Sequence, residues 1–270
     1  MGFRSVVSSE LCDFAAKTRA IFSPEARMRT ARPVALLLLC VLGLSVGLDG
    51  FGQQKPGNQD GVQGQLNRAA DAILALKSTR FSVKKEGPPA MLDEKNGITF
   101  TLAECVYAAP DRVSCDVKVS LKNGTVLQLT RVWVPEGTFQ SNPLTRQFGK
   151  APADSTFNGV LLFAKTGIPD IMRTSVQKPQ VIGKERVLNR DTQHLKGEVS
   201  GAKLVPFISS VKPDVTYPVD LWMDEATALP LQIHVAEPEN SGWMIELSSI
   251  NEPVEVPTPQ LAPAPVKPQA

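Results

Sequence analysis

Apolar and polar positions alternate from Ile98 to Val134, the most regular stretch of the chain. Ile98, Phe100 and Leu102 alternate with Thr99, Thr101 and Ala103, until Ala108-Ala109-Pro110-Asp111 interrupts the run. Val113, Cys115, Val117, Val119 and Leu121 then alternate with Ser114, Asp116, Lys118 and Ser120. A period of two is that of a strand with one face buried. Asn123-Gly124 tolerates the positive φ of a tight hairpin and turns the chain into a third strand, Thr125 to Val134. The stretch predicts an antiparallel meander with one apolar and one polar face.

The period differs on either side. Val62, Leu66, Ala69, Ile73 and Leu76 recur at steps of four and three, which stacks them on one face of a helix, with Asp60 as N-cap. Arg80 to Lys85 alternates again, with Phe81 and Val83 on one side, and Gly87-Pro88-Pro89 ends it. Phe139 to Asp154 reads as irregular. Asn158 to Lys165 and Ile168 to Thr174 read as two short helical pieces broken at Gly167 and Pro169. Strand patterns resume at Val181-Ile182, Val187-Leu188 and Thr192 to Val199. Ala202 to Ile208 reads as a short helix, and Tyr217–Met223, Leu229–Ala236 and Gly242–Ile250 as three closing strands.

The sum is an α+β domain of about eight to eleven antiparallel strands with an N-terminal helix. Such a sheet twists and curls, and the short helices must cover its concave side. The mid-chain helical pieces carry more apolar residues than they can bury on themselves. Phe100, Leu102, Val117, Val119, Leu127 and Leu129 on the strands, with Leu161, Phe163, Ile171, Met172 and Phe207 on the helical pieces, are therefore the candidate lining of the covered side. They form either an ordinary dry core or the wall of an apolar cavity.

Composition narrows the setting. Met28 to Arg32 is a short basic segment and Pro33 to Leu48 an apolar one; Gly50 and Gly52 suit cleavage before Gln53. The apolar run is shorter than the ~20 residues of a spanning helix, so it fits a cleaved leader better than an anchor. We thus expect a leader at 1–52, with Met28 a candidate start, a flexible tether at 53–61, one domain at 62–259 and a proline-rich tail at 260–270. Of 29 Lys/Arg and 27 Asp/Glu, the leader holds six and four, so the remainder is neutral and lacks the basic patch of a nucleic-acid binder.

Export gives the cysteines a meaning. Cys105 and Cys115 are the only pair beyond the leader and lie equidistant from Pro110, so a hairpin turning there sets them opposite one another. An oxidising compartment would join them; two buried free thiols are the alternative.

Catalytic chemistry has little support. His194 and His234 fall on the polar positions of alternating strands and are expected at the solvent-exposed surface, with no zinc spacing around them. Asp220 and Asp224 flank Trp222 like paired carboxylates, but Asp224 is better placed to cap the turn with Thr227. Asp111-Arg112 reads as turn chemistry with a surface ion pair. No catalytic residue, cofactor or metal is expected.

The order of short motifs resembles one family. Ala75-Leu76-Lys77-Ser78 runs into a strand, Ala109 to Val113 forms a turn, and Trp133 to Thr145 contains Asn142-Pro143. Thr166-Gly167-Ile168-Pro169 follows, then Val219 to Asp224, Leu229-Pro230 and Leu247 to Val254. Over residues 62–259 this resembles the LppX/LprG-type lipoproteins, relatives of the outer-membrane lipoprotein carriers. The resemblance implies a half-open antiparallel β-barrel whose helix-covered apolar cavity holds acyl chains of lipids or lipoglycans without catalysis. It implies a cell-envelope location, a membrane surface and a membrane transporter as partners. Leu37-Leu38-Leu39-Cys40 departs from the family's lipobox, because leucine precedes Cys40, so lipidation there is not expected.

Two functions are compatible with these expectations, a lipid carrier and an envelope sensor or scaffold that binds a partner protein. A cavity of several hundred Å³ would favour the first and a filled interior the second.

Overall fold

The computed structural model describes residues 59–94, 97–151, 158–208 and 210–261; the leader, most of the tether and most of the tail lie outside them. Helix α1 (Gln59–Leu74) opens the domain, three residues ahead of the expected start. Its stripe Val62, Leu66, Ala69 and Ile73, continued by Leu76, is buried along its length. Strands β1 (Ser78–Glu86) and β2 (Ala90–Asp93) follow, then the meander β3 (Ile98–Ala108), β4 (Arg112–Ser120) and β5 (Val126–Val134). Between β4 and β5 the chain turns at Gly124, whose φ of +82° suits glycine, while Asn123 Oδ1 accepts from the Thr125 N–H at 3.0 Å.

The stretch expected to be irregular contains two short strands, β6 (Gly137–Ser141) and β7 (Phe148–Lys150). A 3-10 turn at Gly159–Leu162, capped by Asn158 Oδ1 accepting from the Val160 N–H, leads to α2 (Ile168–Thr174) with Pro169 in its first turn. Strand β8 (Gln177–Val187) is continuous where two fragments were expected, and turns through Leu188-Asn189 into β9 (Arg190–Ser200). Helix α3 (Gly201–Leu204) precedes β10 (Thr216–Asp224), β11 (Pro230–Glu237) and β12 (Ser241–Ser248).

The twelve strands among the described residues join one antiparallel sheet in the order β7-β6-β5-β4-β3-β1-β12-β11-β10-β9-β8, with β2 on β3. The count is one above the expected range, because β6 and β7 add to the meander. Its ends, β7 and β8, do not pair with each other, so the sheet stays open. The pairing of β1 with β12 unites the N-terminal and C-terminal halves. Asp224 does cap its turn: its Oδ1 accepts from the N–H groups of Ala226 and Thr227 at 2.7 and 3.2 Å.

One face of the sheet and the helices share a single large core. Within it Phe163 stacks on Tyr107 at 4.1 Å and meets Phe81 edge-on at 5.2 Å. Gly159 explains how closely the 3-10 turn sits: a Cβ there would come within 2.9 Å of Val113 Cγ1. The outer face carries a smaller cluster of Val132, Val134, Phe139 and Val256, covered by the C-terminal segment. Arg112 fastens that segment by donating to the Val256 carbonyl at 3.1 Å, and pairs with Glu136 at 3.3 Å rather than with Asp111.

Cys105 and Cys115 are directly opposite, with Cα atoms 4.0 Å apart, and form a disulfide on the helix-covered face. In the chain-entropy account, closing so short a loop stabilises the fold by about 2–3 kcal/mol. Cys105→Ser/Cys115→Ser is expected to lower the unfolding free energy by that amount, read as a shift of the urea midpoint at unchanged slope. A double variant as stable as the parent would show that the staple is redundant.

Candidate functional site

The apolar face is deepest where β1 and β9–β12 pass beneath the short helices. Alternation on these strands turns Val83, Val199, Val219, Leu221, Ile233, Val235, Trp243 and Ile245 to one side. The cover supplies Leu162, Ile168, Ile171, Met172 and Val176 around α2, and Leu204, Phe207 and Ile208 around α3. Val176 fits because β9 has Gly197 beneath it: a Cβ on Gly197 would lie 2.5 Å from Val176 Cγ1.

Between sheet and cover lies a seam-like cavity of about 60 Å³ whose sixteen lining residues are all apolar. That volume is far below the roughly 300–1,000 Å³ of typical ligand sites. The seam is therefore close to filled. The lining then offers hydrophobic contact without an orienting polar group.

Of the eleven residues anticipated from sequence, Ile171, Met172 and Phe207 line the seam. Phe163 is buried in its aromatic stack, and Leu161 is half-buried outside the lining. Phe100 borders the site, with its ring 5.3 Å from that of Trp243. Val119 is buried, and Val117, Leu127 and Leu129 are half-buried; register places all four on the helix-covered face, beyond the seam. Leu102 is a correction: it pairs with Lys118 and Lys84 on the outer face. A bulge between Phe100 and Leu102 inserts one residue and reverses the alternation, so Ala103, Cys105 and Tyr107 point inward instead. The meander therefore contributes no residue to the seam.

The eight sheet residues of the seam were missed for a different reason. Their alternation was visible, but nothing local shows that β1 joins β12 and carries these strands under α2 and α3.

A polar latch fastens the edge of the cover. Glu237, whose side chain is 8% exposed, pairs with Lys85 Nζ at 2.9 Å and accepts from Ser210 Oγ at 2.5 Å and Trp243 Nε1 at 3.1 Å. Ser210 follows α3, so this carboxylate ties the chain beyond the cover to the sheet. Burial pushes the Glu237 pKa up, but hydrogen bonds from Ser210, Lys85, Trp243 and Ser241 outweigh it and hold the group below the ordinary glutamate value.

The histidines lie on the opposite, polar face, where their positions in the alternation put them, and are partly exposed. His194 stacks on Trp222 at 4.5 Å and contacts Glu185 at 2.8 Å and Asp220 at 2.9 Å. His234 lies 3.5 Å from Glu86 and 3.9 Å from Asp220. Hydrogen bonds from Trp222 and then His194 lower the Glu185 pKa. The strands β8 to β11 are thus laced by a charge ladder separate from the seam. Among the described residues no group of three or more His, Cys, Asp or Glu is placed to hold a metal ion. No helix among them is long and apolar enough to cross a membrane.

An open, strongly curled antiparallel sheet with helices laid across one apolar face defines a half-barrel protein. The chain belongs to the LppX_LprAFG lipoprotein family, whose profile matches residues 63–256. It is similar in structure to LprF from Mycobacterium bovis, with 17% identity, a TM-score of 0.60, and 74% of this chain and 97% of that one covered. It is also similar to the Mycobacterium tuberculosis lipoprotein LppX, with 15% identity, a TM-score of 0.54, and 74% and 100% of the two chains covered. At these identities the likeness is one of fold. No curated protein sequence matches the chain.

Proposed function

We propose that this protein is an exported, cell-envelope lipid-binding and lipid-transfer protein that holds acyl chains non-covalently between the sheet and the α2–α3 cover. The observation that carries the reading is the wholly apolar lining of the seam, sixteen residues drawn from five strands and the covering segments. Each methylene buried there contributes about 0.8 kcal/mol, so affinity rises with chain length while selectivity for the chain stays loose. No reaction step is assigned to any residue.

Entry requires the cover to lift. Helices of seven and four residues have little stability of their own and rest on the sheet through their apolar sides. Gly167, ahead of Pro169, is the proposed hinge: it packs so tightly on the Leu161 carbonyl that no side chain fits, and it is the N-cap of α2. The sheet side of the wall is assigned to β1 and β9–β12, with Phe100 at its margin.

The test is native mass spectrometry of protein purified from its own membrane source, together with uptake of a fluorescent fatty-acyl probe. Co-purified lipid, or saturable uptake displaced by unlabelled fatty acid, is the expected result. Uniformly ligand-free protein that takes up no probe would overturn the assignment. The second reading, a filled half-barrel that recognises a partner protein in the envelope, is favoured by the small volume of the seam. That same negative outcome would support it.

A further inference from the structure

The two most exposed large apolar side chains among the described residues, Leu144 at 81% and Val126 at 63%, stand at the same end of the sheet. Register shows how they are arranged. Met91 on β2, Thr99 on β3, Ser120 on β4 and Val126 on β5 are consecutive partners. Opposed residues share a face, so the four form one row, about 14 Å long at ~4.8 Å per strand. The row lies on the face away from the helices, because the adjoining Phe100, Val119 and Leu127 occupy the covered one. Leu144 flanks it at the tip of the β6–β7 loop. Arg146 Nη1 ties that loop to β5 by donating to the Gln128 carbonyl at 3.2 Å, two residues from Val126. The tip itself is held by Asn142 Oδ1, which accepts from the N–H groups of Leu144 and Thr145 at 2.8 and 3.1 Å. On the far side, Leu92 follows Met91 at the β2 bulge and is likewise exposed. The β2–β3 and β4–β5 turns pack together, since a Cβ at Gly97 would come within 2.8 Å of Lys122 Cβ.

Four apolar side chains on the ends of separate hairpins are few for a protein partner, whose stable interfaces take about 20–30 residues a side. They suit a surface that accepts single side chains about 5–10 Å deep, the interfacial layer of a bilayer. Charges at this end are mixed: Lys84, Lys122 and Arg146 stand with Glu86, Asp93 and Glu94, and Lys118 pairs with Glu104 at 3.4 Å. That balance favours neither an acidic nor a basic partner and leaves the apolar side chains to supply the attraction. The same end carries the latched edge of the cover. Phe100, at the margin of the seam, follows Thr99 of the row; Lys85 is next to last in β1 and Glu237 is last in β11, and both strands finish here beside Gly242.

We propose that Met91, Leu92, Val126 and Leu144 form a rim that docks the protein on a lipid bilayer by apolar insertion, without selecting for anionic lipid. The proposal rests on the lipid-binding reading and supplies its partner and orientation: the latched edge of the cover faces the membrane.

The full chain is mixed with vesicles of brominated phosphatidylcholine as Leu144→Trp and as Ile182→Trp, a control at an exposed apolar position of β8. Quenching beyond that of the parent is expected for Leu144→Trp alone. Equal quenching at the two positions, or none at Leu144→Trp, would overturn the rim. Val126→Ser/Leu144→Ser is expected to bind phosphatidylcholine vesicles at least about ten-fold more weakly than the parent, and Val181→Ser/Ile182→Ser within about two-fold. Both double variants should keep the parent's thermal midpoint and its uptake of a fluorescent fatty-acyl probe from solution. Uptake by a parent that does not dock would overturn the rim and leave the lipid reading standing; a parent that takes up no probe sinks the lipid reading and the proposal with it. Binding that requires phosphatidylglycerol in the vesicles and falls with salt would overturn the apolar form of the proposal. A parent that sediments as a dimer, with Val126→Ser/Leu144→Ser monomeric, would assign the rim to a second copy and overturn it.

Discussion

Replacing Leu66 with alanine is expected to remove about 2–5 kcal/mol of unfolding free energy, whereas Leu74→Ala on the same helix costs less than about 1 kcal/mol. Both substitutions delete the same atoms from α1. Leu66 is fully buried in the main core, while Leu74 is 39% exposed. The cost at Leu66 combines the lost transfer of a buried side chain with the cavity left among neighbours that cannot fully collapse. A loss near 3 kcal/mol corresponds to a fall in melting temperature of about 6–12 °C for a domain of this size. Thermal and urea unfolding of the two variants side by side would decide it. Equal effects at the two positions would mean that helix propensity, and not docking on the sheet, holds α1 in place. Gln63 adds a local tie, since its amide donates to the carbonyls of Met172 and Arg173 at 3.3 and 3.2 Å. A loosened α1 would therefore disturb α2, the roof of the seam.

Leu66 was legible from sequence alone, because the helical stripe is a local signal and burial follows from it. The disulfide was legible for a similar reason, as symmetry about Pro110 fixes which residues face each other in the hairpin. The same hairpin shows where the reasoning fails. Phe100 and Cys105 both point inward, yet they are an odd number of positions apart, which strict alternation forbids. Only the bulge before Leu102 reconciles them, and a bulge leaves little trace in a run of Thr, Leu and Ala. Strands β6 and β7 were lost because they are five and three residues long and lie among Gly, Asn and Pro. The seam was harder still. Val219, Leu221, Ile233 and Val235 looked like any half-buried strands, and their role depends on the union of β1 with β12, a contact between positions more than 150 residues apart. Family resemblance supplied the half-barrel, but not the region of its wall that lies beneath the cover.

Lys85→Met is expected to cost about 3–5 kcal/mol, an effect as large as removing a core leucine, although methionine is the more apolar residue. Lys85 sits on the apolar face with its side chain 4% exposed, and its Nζ donates to the Glu86 carbonyl at 2.8 Å and Ser241 Oγ at 3.0 Å beside its pairing with Glu237. Substitution leaves the Glu237 carboxylate buried with neutral donors only. Because Ser210, Ser241 and Trp243 still donate to it, the loss should fall toward the lower end of the range. Adding Glu237→Leu to Lys85→Met should restore most of the stability, since two apolar side chains replace the pair without an uncompensated charge. The pH dependence follows from the lowered Glu237 pKa. Its contribution is complete above the ordinary glutamate value of about 4.5 and is lost as pH falls through the lower folded value, when the carboxylate takes up a proton. Urea titrations of the parent and Glu237→Gln between pH 7 and about pH 3 should therefore converge at the acid end. A gap that stays constant with pH would show that the Glu237 charge does not hold the latch, and that the cover is fastened by apolar contact alone.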